Sequence, residues 1–273
     1  MSTVAVIQMT SSDSVHDNLA TAARLLRQAA DAGAKLAALP ENFAFMGLHE
    51  TDKLKIKEHE GSGPIQDFLY ETASRLQLWL VAGTLPMACA DLHKVRAACL
   101  VYDDQGQLRA RYDKIHLFDV NLPGGRESYR ESTTFEQGEE WGVVDTPVGK
   151  LGLSICYDLR FPELYRKLTD QGAQLLLAPS AFTRNTGEAH WQVLLRARAI
   201  ENLCYVLAPN QTGRHRNGRE TYGHSAIIDP WGQVLADAGT DVGLAKATVD
   251  LNHLAEIRGA FPVLQHRRWR ALQ

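Results

Sequence analysis

Three side chains that could do chemistry stand at the ends of apolar runs in this sequence. Cys156 ends the run GKLGLSIC, Glu41 follows Pro40 in AALPENF, and Lys114 follows a run in ARYDKIHLFD. A thiol becomes a useful nucleophile when a neighbour lowers its pKa or takes its proton, so a reactive cysteine needs a partner. Each residue also has an ordinary interpretation, because cysteine packs as a small hydrophobe and charged loop residues are commonly solvated. No single histidine stands out as the partner.

The segment around Cys156 predicts a turn between a strand and a helix. Pro162 suits the first position of a helix, and Glu163 suits the positive end of the helix dipole. A side chain in such a turn lies at the carboxyl edge of the sheet, where open α/β folds bind their ligands. Backbone N–H groups that follow it, beginning with Tyr157, could then face an oxyanion, as in a nucleophile elbow. An ion pair between Arg160 and Glu163 is expected to hold the turn.

Alternating strands and helices must position these groups. Short runs rich in Val, Ile and Leu that end in Gly, Pro or Asn predict buried strands, whereas segments 16–33 and 187–203 carry apolar residues at helical spacing. Turn residues at 104–106 and 230–232 predict two hairpins, so we expect a mixed sheet in an α/β fold. The irregular stretch 119–141 is long enough to be functional.

Composition narrows the class of partner. The chain has 273 residues, of which 45% are hydrophobic, and we expect one domain over residues 1–273. Its 29 basic residues against 32 acidic ones give no polybasic character, so we expect a small-molecule partner, with no nucleic acid and no membrane. The N-terminal apolar run is too short for a signal peptide, which predicts a cytoplasmic protein.

The cysteines and histidines show no metal-ligand spacing. The four cysteines are widely separated and contain no C-x-x-C pair, and the ten histidines lack an H-E-x-x-H motif. We therefore expect reduced thiols and no metal. Cys99 and Cys204, which lie within or at the head of apolar runs, are expected to be core residues.

The segments LPENF, YDKIHLFD and ICYDLRFPEL occur in this order and together resemble the three catalytic segments of the nitrilase superfamily, the carbon–nitrogen hydrolases, in particular its Nit branch of small amidases. The resemblance covers nearly the whole chain. It implies a four-layer α-β-β-α sandwich, an EC 3.5.1 hydrolase without a cofactor, and a homodimer, with a tetramer possible. Helices at 163–168 and 189–203 are the expected interface, with Trp191 and Leu195 as its test positions.

The resemblance also implies roles for individual residues. Cys156 would attack an amide carbonyl, Glu41 would take the thiol proton and pass it to the leaving nitrogen, and Lys114 would stabilise the oxyanion together with the Tyr157 N–H. The family has one more glutamate after the lysine, for which we choose Glu131 because of its spacing from Lys114. Its neighbour Glu127, which also lies in an RES sequence, is the alternative.

Within the Nit branch, segment 210–225 resembles the deaminated-glutathione amidases most closely, whereas the ω-amidases usually lack its GRH step. The implied substrate has a carboxylate at each end, which basic side chains can bind. The substrate-binding candidates are Phe43, Arg184, Arg214, His215 and Arg216. The alternatives are an ω-amidase acting on 2-oxoglutaramate, another small-amide or carbamoyl hydrolase, and a binding protein that keeps the fold without activity.

Overall fold

The computed structural model describes residues 1–122 and 127–268. Its strands are short, as expected for runs bounded by Gly, Pro and Asn. In chain order they are Ser2–Gln8 (β1), Ala34–Ala38 (β2), Trp79–Val81 (β3), Leu85–Ala88 (β4), Val95–Tyr102 (β5), Leu108–Asp113 (β6), Asp119–Asn121 (β7), Ser128–Arg130 (β8), Val143–Thr146 (β9), Gly149–Gly152 (β10), Leu175–Leu177 (β11), Tyr205–Ala208 (β12), Thr212–Arg214 (β13), Glu220–Tyr222 (β14), Ala226–Ile228 (β15), Val234–Asp237 (β16) and Gly243–Val249 (β17).

The helices begin where the sequence supplies caps. Ser14 caps the first by accepting a hydrogen bond from the Asp17 N–H, and prolines open the second and third. The α-helices are Val15–Asp31 (α1), Pro64–Leu76 (α2), Pro162–Asp170 (α3), Arg184–Thr186 (α4), Gln192–Asn202 (α5) and Leu251–Ala260 (α6). Short 3₁₀ helices occupy Glu50–Ile56, Glu131–Thr133 and Cys156–Arg160, and a π-helical turn at Gly187–Trp191 leads into α5.

Most strands belong to two mixed sheets. The first has the order β17-β1-β2-β3-β5-β4, with β6 paired to β5, and the second has the order β16-β15-β12-β11-β10-β9. Within the first, β1 pairs β2 in parallel and β17 in antiparallel fashion. Both predicted hairpins form, because β5 pairs β6 and β15 pairs β16 in antiparallel register.

The two sheets pack face to face, and helices cover their outer faces. Alternate residues of β2 show this arrangement, since Leu36 joins the core shared by both sheets while Ala37 packs with α1 and α2. Side chains of α3 and α5 pack with the second sheet. The predicted α-β-β-α sandwich is therefore confirmed. Across the described ranges, no helix is both long and apolar enough to cross a membrane.

Two sequence-based expectations about these elements are wrong. Trp191 and Leu195 are fully buried and pack with residues of the second sheet. Neither side chain is on the surface, so they are unsuitable positions for testing a helical interface. The strand that was expected to end at Cys156 ends at Gly152 instead. Residues 123–126 of the long irregular stretch lie outside the described residues.

Candidate active site

A buried lysine joins two glutamates at the edge of the sheets. The Nζ atom of Lys114 lies 2.9 Å from Glu41 Oε1 and 2.8 Å from Glu131 Oε2. The exposed fractions of the three side chains are 2% for Lys114, 5% for Glu41 and 14% for Glu131. The structure thus brings together the three charged residues that were predicted to act with Cys156, which lines the same cavity.

Main-chain and amide groups hold Glu41 after the end of β2. The Ala181 N–H donates a 2.9 Å hydrogen bond to its Oε2 atom, opposite the oxygen that faces Lys114. Its own carbonyl accepts a 2.9 Å bond from Gln211 Nε2, a side chain that also donates to Ser11 Oγ. Both carboxylate oxygens are therefore oriented before any substrate arrives.

Lys114 and Glu131 come from different segments that meet at this point. Lys114 directly follows β6, where its N–H donates to the Ala97 carbonyl at 3.0 Å. Glu131 opens a 3₁₀ turn after β8, and its Oε2 atom accepts a 2.6 Å bond from the Phe118 N–H. The other candidate, Glu127, accepts hydrogen bonds from Tyr129 and Asn185 instead.

Cys156 occupies a strained turn, as the elbow interpretation requires. Its φ angle is +47°, a left-handed conformation that costs a residue with a Cβ atom about 1 to 2 kcal/mol. Its N–H donates a 2.9 Å bond to the Pro179 carbonyl, which anchors the turn to the chain beyond β11. Tyr157 is the next residue of the 3₁₀ helix, and Pro162 opens α3 as predicted. Arg160 contacts His190 Nδ1 at 3.2 Å rather than Glu163.

Burial and charge set the protonation states in this cluster. Burial alone would raise the pKa of Glu41, but the charge and hydrogen bond of Lys114 outweigh it and leave that pKa below its ordinary value. Burial and then the Glu41 charge raise the pKa of the Cys156 thiol. Burial would lower the pKa of Lys114, but its carboxylate neighbours hold it well above the ordinary value. The resting site therefore holds a thiol beside an ionised glutamate and an ammonium.

Burial also acts on Glu131, whose pKa is raised although Lys114 opposes the shift. The two carboxylates that share the lysine consequently differ in proton affinity. Glu41 is therefore ionised and available to accept a proton, while its lowered pKa makes it a weaker base than an ordinary carboxylate.

The cavity around Cys156 has two lobes. One, of about 110 Å³, is lined by the charged cluster together with Glu50, Lys53, Tyr129 and Arg219. The other, of about 10 Å³, is lined by Tyr157, Arg160, Phe182, Thr183 and Thr186. Cys156, Phe118 and Arg219 line both lobes. An outer cavity of about 470 Å³ shares Glu50, Ser128, Tyr129 and Arg219 with the first lobe.

Two of the predicted substrate-binding residues are structural. Phe43 is fully buried in the apolar core between the first sheet and its helices. His215 is 3% exposed, and its ring nitrogens lie 2.8 Å from the Ser11 carbonyl and 2.8 Å from Thr221 Oγ1. Burial, followed by the nearby Arg219 charge, lowers the pKa of His215 to about 4. Neither side chain lines the inner lobes or the outer cavity, so the structure lends no support to a contact with substrate, which stays a prediction.

The three predicted arginines lie outside the inner lobes. Arg184 lines the outer cavity and pairs with Glu220 at 3.3 Å, which agrees with its expected place at the rim. Arg214 lines a neighbouring surface cavity beside β14, which shares Arg184 and Glu220 with the outer cavity. Arg216 is exposed and pairs with Asp13 at 2.9 Å. A contact of any of these with substrate stays a prediction.

Arg219 is the basic residue that the sequence analysis missed, although it lies in segment 210–225. It lines both inner lobes and the outer cavity. A turn at Asn217 and Gly218, in which Gly218 has a positive φ, separates Arg219 from the exposed Arg216. The Asn217-Gly218 pair predicts a turn that reverses the chain before Arg219, and this is the signal that could have separated Arg219 from Arg214 and Arg216. In the ranges 1–122 and 127–268, no group of three His, Cys, Asp or Glu residues could hold a metal ion.

Comparison with known proteins shows the family and the relatives that this chain resembles. A family model described as carbon-nitrogen hydrolase matches residues 3–259. A deaminated glutathione amidase from Synechocystis is 48% identical over 266 residues, covering 96% of this chain and 97% of that protein. The Caenorhabditis elegans NitFhit crystal structure matches 98% of this chain and 65% of that chain, with 42% identity and a TM-score of 0.92. The crystal structure of Saccharomyces cerevisiae Nit3, a member of branch 10 of the nitrilase superfamily, is 31% identical in sequence and has a TM-score of 0.88. The match covers 98% of this chain and 96% of that chain.

Proposed function

The chain belongs to the carbon-nitrogen hydrolase family, and we propose on that basis that Cys156, Glu41, Lys114 and Glu131 carry out amide hydrolysis through a thioester. The enzyme is a hydrolase of carbon–nitrogen bonds other than peptide bonds, as its amidase relatives indicate. The observation that carries the residue assignment is the Lys114 ammonium held between Glu41 and Glu131 beside the thiol.

In the first half-reaction, Cys156 attacks the amide carbonyl while Glu41 accepts the proton from Sγ. Because the thiol pKa is raised, proton transfer and attack occur together rather than from a preformed thiolate. The new oxyanion is stabilised by the Lys114 ammonium and the Tyr157 N–H. The carbon–nitrogen bond then breaks, Glu41 returns its proton to the leaving nitrogen, and an acyl thioester on Cys156 remains.

In the second half-reaction, water replaces the departed amine. Glu41 accepts a proton from the water as its oxygen attacks the thioester carbonyl, and the same oxyanion site is used again. The carbon–sulfur bond breaks and the sulfur regains its proton from Glu41, which restores the thiol. Glu131 keeps Lys114 in place throughout, because its two oxygens lie 2.8 and 2.9 Å from Nζ.

The proposed substrate is deaminated glutathione, which the enzyme would hydrolyse to 2-oxoglutarate and cysteinylglycine. The Synechocystis relative named for this activity covers nearly the full chain at 48% identity. Basic residues on both lobes, Arg160 and Arg219, suit a substrate with a carboxylate at each end. The alternatives are 2-oxoglutaramate, the ω-amidase substrate, and other small amides.

A parallel assay tests this proposal. Release of 2-oxoglutarate is measured from deaminated glutathione and from 2-oxoglutaramate, with Cys156→Ala as the control for contaminating activity. A higher kcat/KM for deaminated glutathione, absent from Cys156→Ala, supports the proposed substrate. A higher value for 2-oxoglutaramate moves the enzyme to the ω-amidases. Absence of hydrolysis across a panel of amides would contradict the residue assignment.

We also propose a homodimer built from one domain over residues 1–273. The family model spans residues 3–259, which supports the single domain. Because Trp191 and Leu195 are buried, the exposed apolar residues of α5, Val193 and Ile200, are the better interface candidates. A Val193→Lys, Ile200→Lys double variant should sediment as a smaller species than the wild type. An unchanged mass would exclude this helix face from the interface.

A further inference from the structure

Arg219 is a charged side chain at the junction of the cavities. Among the ion pairs of the described residues, none includes Arg219. Its Nε atom is buried and has no hydrogen-bond partner in this part of the chain. A buried guanidinium is costly unless its donors are satisfied, so a ligand oxygen at this position would be stabilising.

Two other contacts hold the Arg219 guanidinium beside the reacting groups. One NH2 group donates to the Ala181 carbonyl, and the guanidinium lies over the Tyr129 ring, 5.2 Å from its centroid. The N–H of the same Ala181 binds Glu41 Oε2. A single residue therefore positions both the proposed general base and this arginine, which fixes the distance between the reacting bond and any group that Arg219 binds.

The position of the proposed general base indicates where the leaving group and the acyl group of the substrate lie. The leaving nitrogen must lie beside Glu41, which delivers its proton, and Glu41 lines the larger lobe only. The leaving group therefore extends through the larger lobe, past Arg219, toward the outer cavity. The acyl group then lies on the other side of the scissile bond, toward the side of the cavity that Arg160 lines.

We propose that Arg219 binds a carboxylate on the leaving-group side of the scissile amide and so selects substrates whose leaving amine is a small anionic peptide rather than ammonia. This inference rests on the proposed function. Deaminated glutathione and 2-oxoglutaramate carry the same 2-oxoglutaryl acyl group, but only the former has a carboxylate beyond the scissile nitrogen. The pair of substrates therefore isolates the contribution of that carboxylate.

The test compares Arg219→Met and Arg219→Lys with the wild type on both substrates. Loss of a charge-assisted hydrogen bond should lower kcat/KM for deaminated glutathione about 100-fold in Arg219→Met. The value for 2-oxoglutaramate should fall by about tenfold or less, since this substrate loses the effect of Arg219 on Glu41 through Ala181 but no bond to its leaving group. Arg219→Lys should recover part of the lost activity because it keeps the charge without the planar fork.

Arg258→Met is the matched control, because Arg258 is also partly buried and also donates to main-chain carbonyls, at Leu203 and Ala173, but lines none of these cavities. It should leave the ratio of the two kcat/KM values unchanged. An equal fall for both substrates in Arg219→Met would overturn the inference, as would no fall for either. Failure of the wild type to hydrolyse either substrate would instead overturn the proposed function.

Discussion

The hydroxyl of Tyr112 donates a 2.6 Å hydrogen bond to the Oδ2 atom of Asp158. This bond ties the end of β6, two residues before Lys114, to the turn that holds Cys156. Asp158 is fully buried, and its oxygens also accept bonds from the Ile155 N–H at 2.8 Å and the His116 N–H at 3.1 Å. The segments that carry the lysine and the cysteine are therefore joined through one carboxylate.

Replacement of Tyr112 by Phe removes this connection while keeping the ring. The free energy of unfolding should fall by about 1 to 2 kcal/mol, because a buried acceptor loses one of its donors. We expect kcat to fall about tenfold as the Cys156 turn loses part of its alignment with Lys114. Urea unfolding and steady-state kinetics measure the two effects. Tyr70→Phe, at a half-exposed tyrosine, is the control, and equal effects in both variants would contradict this role for Tyr112.

The assignment of Glu131 over Glu127 can be tested with isosteric variants. Glu131→Gln removes the charge that holds Lys114, so kcat should fall about 100- to 1,000-fold, the usual effect of losing one preorganised electrostatic group. Glu127→Gln should stay within about threefold of the wild type, because that residue bonds Tyr129 and Asn185 rather than the lysine. The reverse order of effects would assign the role to Glu127.

The thiol of Cys156 should resist ionisation in the free enzyme. Burial and the Glu41 charge raise its pKa, so thiolate absorbance at pH 9 should be lower than for an ordinary cysteine. Glu41→Gln removes a contribution that raises this pKa, and should therefore increase thiolate absorbance even as hydrolysis is lost. The ultraviolet difference against Cys156→Ala isolates this thiol from the other cysteines. A smaller thiolate signal in Glu41→Gln than in the wild type would contradict the electrostatic account.

Buried His215 should make stability depend on pH. Its pKa is about 4 in the folded protein against 6.5 for an ordinary histidine, so between these values the unfolded chain binds a proton that the folded chain does not. Stability contributed by neutral His215 is thus present above pH 6.5 and lost as the pH falls toward 4. Between pH 7 and 4.5 the wild type should lose about 2 to 3 kcal/mol more than His215→Asn in urea unfolding. Equal losses would show that the imidazole is not held neutral.

Much of the fold and of the reacting cluster is readable in the sequence. The buried strands, both hairpins and the helix beginning at Pro162 follow from local patterns, and the family motifs identify Glu41, Lys114 and Cys156 as neighbours. The substrate-binding residues cannot be identified from the sequence in the same way, because each basic residue of segment 214–219 has the same local character. Whether a side chain is buried depends on long-range contacts, such as the bond between His215 and the Ser11 carbonyl, which no local pattern contains.

If hydrolysis proceeds through a thioester, the acyl group of the substrate can be trapped on Cys156. Wild-type enzyme is quenched with acid during turnover of deaminated glutathione, and the cysteine-containing peptides are examined by mass spectrometry. We expect a 2-oxoglutaryl thioester on Cys156 and none on Cys89, Cys99 or Cys204, with Cys156→Ala releasing no 2-oxoglutarate. Release of 2-oxoglutarate by Cys156→Ala at the wild-type rate would contradict this mechanism.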